Sequence, residues 1–119
     1  VIQEYCRFRD GFEELLDERF YYIEWLDKQF ISGAYKLFSC ADAAALVEIK
    51  TYPTGAREVH GVAATGNLKS ILSDLIPRIE AYGRDQGCEI AGIESRAAWV
   101  RLMKPHGYEQ YQTCIRKDL

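Results

Sequence analysis

The sequence predicts an α+β domain, a mixed and mostly antiparallel sheet with helices on both faces and one parallel strand pair joined by a helix. Three observations carry this. Short β-prone runs flank Pro53-Thr54-Gly55, as in an antiparallel hairpin. Leu68, Ile71, Leu72, Leu75, Ile76, Ile79 and Tyr82 recur on one helical face, and the apolar run 88–93 follows at once. A strand, a helix and a strand in that order cross over right-handedly and leave the two strands parallel.

The elements follow in order. Asp10-Gly11-Phe12-Glu13 has the form of a capping box and predicts a helix start there. Phe12, Leu15, Leu16, Ile23, Leu26 and Phe30 continue at helical spacing, with a break at 19–22, until Gly33 offers a C-cap. One long helix or two with a kink fit equally. Residues 35–40, 43–52 and 57–64 read as strands, the last two forming the hairpin. The periodic stretch 68–86 reads as a helix bent at Pro77, which cannot donate to the carbonyl of Ser73. Gly87 closes it, 88–93 is a buried strand, 95–104 a short helix ended by Pro105-His106-Gly107, and 108–115 a closing strand.

Composition bounds the rest. The chain has 119 residues, 48% hydrophobic and 28% charged, without repeat or linker, so a single domain over 1–119 is expected. The longest uncharged runs fall far short of the roughly 18 apolar residues that a membrane span needs. Val1-Ile2-Gln3-Glu4-Tyr5 has no basic stretch leading into an apolar core, so no secretory signal is expected there. Cys6, Cys40, Cys88 and Cys114 are spaced by 34, 48 and 26 residues, with no zinc-like pattern. They read as reduced core thiols, which points to the cytoplasm.

Net charge is -3, with 11 acidic and 7 basic side chains in residues 1–60 and 7 and 8 in the remainder. That balance excludes nucleic-acid binding by bulk electrostatics. Arg96, Arg101, Lys104, Arg116 and Lys117 read as a solvated face.

The later elements resemble the second half of the GNAT acyl-CoA N-acyltransferases over about residues 35–119. The matching residues are Gly87-Cys88-Glu89-Ile90, the helix through Ala97, Ala98 and Leu102, and Gly107-Tyr108. Arg96-x-x-Trp99-x-Arg101-Leu102 before Lys104-x-x-Gly107-Tyr108 is similar to small GNAT-like proteins of bacteriophages and prophages. The resemblance implies two splayed parallel strands that admit acetyl-CoA, with its pyrophosphate on unpaired N–H groups at the following helix start. That cofactor site would be Ala64, Thr65, Gly66, Asn67 and Leu68. This loop departs from the family's pattern, having one glycine and no basic residue.

The resemblance further implies a general acid about four residues before Gly107, where this chain has Met103, whose thioether has no proton to give. Tyr108 and Tyr111 are substitutes, although Tyr108 occupies an ordinarily structural aromatic position. For a general base the candidates are Glu48, Glu58 and His60, the last two sharing a strand face by alternation. The plain reading of all three is edge or solvent-facing charge. Trp99 reads as core; Arg96, beside Glu94, reads as a helix-end ion pair or a ligand contact.

Two functions follow. One is acyl transfer from acetyl-CoA to an amine. The other is a GNAT-like module with a degenerate site and no cofactor, contacting a protein partner or a second copy. The aromatic content, 8 Tyr, 5 Phe and 2 Trp, favours the second.

Overall fold

The computed structural model describes all 119 residues. Two helices open the chain, α1 (Ile2–Leu15) and α2 (Ile23–Ile31). Strands β1 (Lys36–Ser39), β2 (Ala43–Thr51) and β3 (Arg57–Gly66) come next. A continuous helical stretch then runs through α3 (Leu68–Ser70), a π-helical segment (Ile71–Leu75) and α4 (Ile76–Asp85). Strand β4 (Ile90–Ile93), helix α5 (Ala98–Met103) and a 3-10 turn (Lys104–His106) end the regular structure.

The sheet order is β1-β2-β3-β4. The first two pairings are antiparallel and β3–β4 is parallel, as the strand–helix–strand pattern predicts. The β2–β3 hairpin turns through Gly55, whose φ is +89°. Its register shifts between Leu46↔Ala63 and Val47↔Gly61, leaving Val62 as the extra residue of a β-bulge.

Alternation along the strands makes two cores. Phe38, Ala45, Val47 and Val59 pack against Ile71, Leu75, Ile76 and Ile79 on one face. Ala44 and Leu46 pack against Tyr5, Phe12, Ile23 and Leu26 on the other. Helices therefore cover both faces.

Three expectations need correction. Asp10 does not cap a helix; α1 already begins at Ile2, because Tyr5, Phe8 and Phe12 form an apolar stripe that starts earlier. The break at 16–22 separates two helices. There the Asp17 carbonyl accepts from the Phe20 and Tyr21 N–H groups, and the Asp17 carboxylate accepts from Arg19 N–H. The Asp27 carboxylate accepts from Tyr5 O–H at 2.6 Å and from Arg9 Nη2 at 2.8 Å, tying the helices together.

The second correction concerns 108–115, which forms no strand. Leaving Gly107, the tail lines one cavity together with β4 and α5. It is held at Tyr108 by Glu80 and further on by Arg116 over the Phe20 ring and an Arg19–Asp118 ion pair. The third concerns the cysteines. All four are free, but Cys6 and Cys114 are exposed, since Cys6 lies outside the Tyr5–Phe8–Phe12 stripe and Cys114 sits on the tail.

Pro77 is accommodated by the π segment, which widens the helix immediately ahead of it; the Ile76 N–H donates back to the Ile71 carbonyl. Gly83 lets α4 lie close on the sheet, because a Cβ there would meet Val59 Cγ1 at 2.5 Å. No helix is long and apolar enough to cross a membrane.

Candidate functional site

Strand β3 puts Glu58 and His60 on one face, with Val59 between them pointing into the α4-side core. Both are 3% exposed, so the expectation of edge or solvent-facing charge fails for them. The room comes from a neighbour. A Cβ on Gly92 of β4 would stand 2.7 Å from Glu58 Oε2, so only a glycine leaves space for the carboxylate.

The carboxylate is satisfied on both oxygens. Oε1 accepts from Tyr52 O–H at 2.8 Å and Oε2 lies 2.8 Å from His60 Nδ1. His60 Nε2 is 3.5 Å from Glu94 Oε1, and Lys50 Nζ is 3.7 Å from that same oxygen. The hydrogen bond to Glu58, followed by burial, pushes the Tyr52 phenol up. Chemically this is a line of proton-carrying groups from a buried carboxylate through an imidazole to an exposed carboxylate, the kind of arrangement that can take a proton from a bound amine.

Glu48, the third base candidate, faces His60 across the β2–β3 ladder. Sequence reading missed Tyr52 and Glu94. Tyr52 has the alternation parity of Lys50, opposite Glu58 on β2, so its face was visible; the hydrogen bond was not.

The loop 64–68 is brought to the start of α3 as expected, but its groups are partly engaged. Gly66 has φ +104°, and a Cβ there would collide with the Asp42 carbonyl; the glycine serves this backbone contact. Asn67 N–H donates to the same carbonyl at 2.8 Å, and Asn67 Oδ1 accepts from Ser70 N–H at 3.0 Å as the N-cap. Ala64 and Thr65 stand in the ladder with β2, opposite Ala45 and Ala44, and the Thr65 side chain abuts Gly11 of α1. Leu68 opens the helix, 40% exposed.

The parallel ladder has four pairs, Glu58↔Ile90 to Gly61↔Ile93, while β3 continues to Gly66. Its flank beyond the Val62 bulge is left without a strand partner, which is where the resemblance expects a splay.

Met103, at the expected acid position, is 1% exposed and part of the α4-side core. Tyr108 packs against that core too, and its O–H donates to Glu80 at 2.7 Å. Burial, and then this bond, push the phenol well up, making it a poorer proton donor. The structure therefore does not bring Tyr108 to Glu58 and His60, which occupy the opposite face. Trp99 is partly buried against the α4-side core, whereas Arg96 is exposed and Glu94 pairs with Lys50 and His60 instead. A cavity of about 860 Å³ lies between β4, α5 and the tail, and residues 64–68 do not line it.

No protein-family model and no curated protein sequence matches the chain. Solved structures do match. An acetyltransferase from Trypanosoma brucei superposes with a TM-score of 0.68 over 98% of this chain and 94% of its own, at 13% identity. The fold is GNAT-like. The glucosamine-6-phosphate N-acetyltransferase of Arabidopsis thaliana gives a TM-score of 0.68 over 93% and 88%, at 11% identity. A predicted acetyltransferase from Clostridium acetobutylicum, solved with acetyl-CoA, gives 0.59 over 81% and 71%, at 9% identity. In the GNAT-like frame β3 and β4 are the parallel pair and α3–α4 the helix that joins them. Identity this low speaks for the fold alone, since one fold serves many functions.

Proposed function

We propose that this chain is a GNAT-like protein of the phage and prophage type that acts through protein contacts rather than acyl transfer. The observation that carries the reading is the Gly66–Asp42 contact. The one glycine of the cofactor loop is required by backbone packing, and the neighbouring Asn67 N–H is spent on the same carbonyl. A pyrophosphate would find fewer free donors at that helix start than a GNAT cofactor loop offers. A buried thioether at Met103 in the acid position supports the same reading. So do the exposed aromatics Phe20, Tyr21, Tyr22 and Tyr111, a residue class that interfaces favour. The phage and prophage kinship is supported by the Arg96-to-Tyr108 spelling, and a cytoplasmic setting by the free thiols.

A second reading has its own observation. The buried Tyr52–Glu58–His60 cluster is suited to deprotonating an amine that attacks acetyl-CoA. Thermal unfolding with acetyl-CoA separates the two, because a ligand bound only by the folded state adds RT ln(1 + [L]/Kd) to stability. The expected result is an unchanged melting temperature at millimolar acetyl-CoA. A saturable upward shift, with thiol release in the presence of amines, would establish the enzyme reading in its place.

A further inference from the structure

The connection between α1 and α2 carries charge that the fold does not ask for. Glu13 and Glu14 stand at the C-terminal end of α1, Asp17 and Glu18 follow it, and no basic residue occupies its last turn. A helix C-terminus bears the negative end of the macrodipole, where cations stabilise and carboxylates do the opposite. All four, with Glu24 of α2, are exposed and line one groove that has no basic side chain. None of the five enters an ion pair, although Glu4, Asp27, Asp74, Glu94 and Asp118 all do.

Flat rings lie beside these carboxylates. Tyr21 and Tyr22 line the groove at 47% and 61% exposure, and Phe20, 48% exposed, comes just before them. An aromatic face attracts a guanidinium, and one such contact is already made within the chain. The Arg116 guanidinium stands 4.7 Å from the Phe20 ring centroid, with that of Arg19 at 5.0 Å. Arg116 belongs to a tail without regular structure, and the Arg19–Asp118 pair near it is exposed on both sides, so little holds the tail in place.

Resting on the protein-contact reading above, we propose that the α1–α2 turn is a docking surface for an arginine-rich segment of a partner protein. The chain's own Arg116-Lys117 occupies part of it until the partner arrives. The uncompensated carboxylates supply the attraction, and the rings favour a planar guanidinium over a compact ammonium. The same field repels an acidic segment, a nucleic acid or an anionic membrane surface. Docking displaces Arg116 from Phe20, which makes the tail an internal competitor.

Anisotropy of a fluorescein-labelled hexa-arginine peptide, titrated with the full chain, tests this. Saturable binding that weakens as salt rises is expected, with hexalysine bound more weakly. Glu14→Lys with Glu18→Lys should weaken it roughly tenfold, yet melt no lower than the parent, because lysine suits a helix C-terminus. Asp85→Lys with Glu109→Lys makes the same charge change at exposed positions outside the groove. That control should stay within about twofold of the parent at physiological salt, where the Debye length is about 8 Å. Arg116→Ala with Lys117→Ala should tighten binding about threefold. A peptide that does not bind, equal losses from the two lysine pairs, a tail variant that binds no tighter, or spermine competing as well as hexa-arginine would overturn the proposal. Acetyl-CoA added to parallel samples keeps the two ideas apart: a thermal shift in a chain that binds the peptide sinks only the non-catalytic reading, and no peptide binding without a shift sinks only the docking surface.

Discussion

The two faces of the sheet are built on different terms. The face under α4 is closed by hydrocarbon, with Val47, Val59, Leu75 and Ile79 meeting across it. The face under α1 and α2 combines an apolar centre with polar groups, Glu58 and His60 buried at one end and the half-buried Tyr5–Asp27–Arg9 tie among the helices. Burying area accounts for the first face. The second also depends on each polar atom finding its partner, since an unpaired buried charge costs far more than a paired one returns.

The largest expected effect comes from breaking the polar end. His60→Ala leaves the Glu58 carboxylate buried with Tyr52 alone and should cost about 3–5 kcal/mol by denaturant unfolding. Replacing both residues by apolar ones of similar volume, Glu58→Met with His60→Leu, should recover most of that loss. If the double variant is no better than the single, the pair contributes stability of its own and the contrast between the faces weakens.

On the hydrocarbon face, Leu75→Ala opens a cavity at a residue 0% exposed and should cost about 2–5 kcal/mol. A loss below 1 kcal/mol would show that α4 is loosely seated. Smallest is the helix tie, where Tyr5→Phe should cost about 1 kcal/mol. Its pH dependence has a definite sign. Arg9, and then the Tyr5 O–H, hold the Asp27 carboxyl below its ordinary value. The contribution of Asp27 is therefore complete above the unfolded carboxyl value of about 4 and is lost as pH falls through the lower folded one. Asp27→Asn should flatten the acid side of the stability curve; an unaltered curve would remove the tie from the account.

The contrast also explains what could be read in advance. The helix over 68–86 and the parallel pair were legible because Ile71, Leu75 and Ile79 repeat at helical spacing and a crossover admits one handedness. The shared face of Glu58 and His60 was legible from alternation. Their burial was not, for it depends on Gly92 and Tyr52, residues that a local pattern does not connect to them. The start of α1 was misplaced because Asp10-Gly11-Phe12-Glu13 satisfies a capping rule while lying in mid-helix, where Gly11 is there to admit Thr65. Residues 108–115 have the composition of a strand, but a strand also needs an edge to pair with, and composition does not say which.

The π segment at Ile71–Leu75 has a bearing on how the chain tolerates change in length. By holding one residue more than a regular turn, it brings Leu75 and Ile76, neighbours in sequence, both onto the buried side. Deleting a single residue there would restore ordinary winding and leave Ile76, Ile79 and Gly83 on nearly the same side of the helix, whereas a deletion within the regular turns of α4 would rotate everything C-terminal to it by about 100° about the helix axis. The wide turn is thus the place where this helix can lose a residue without swinging its back half off Val59. A one-residue deletion within 71–75 should leave the sheet assembled, and one within 78–82 should lose the approach to β4.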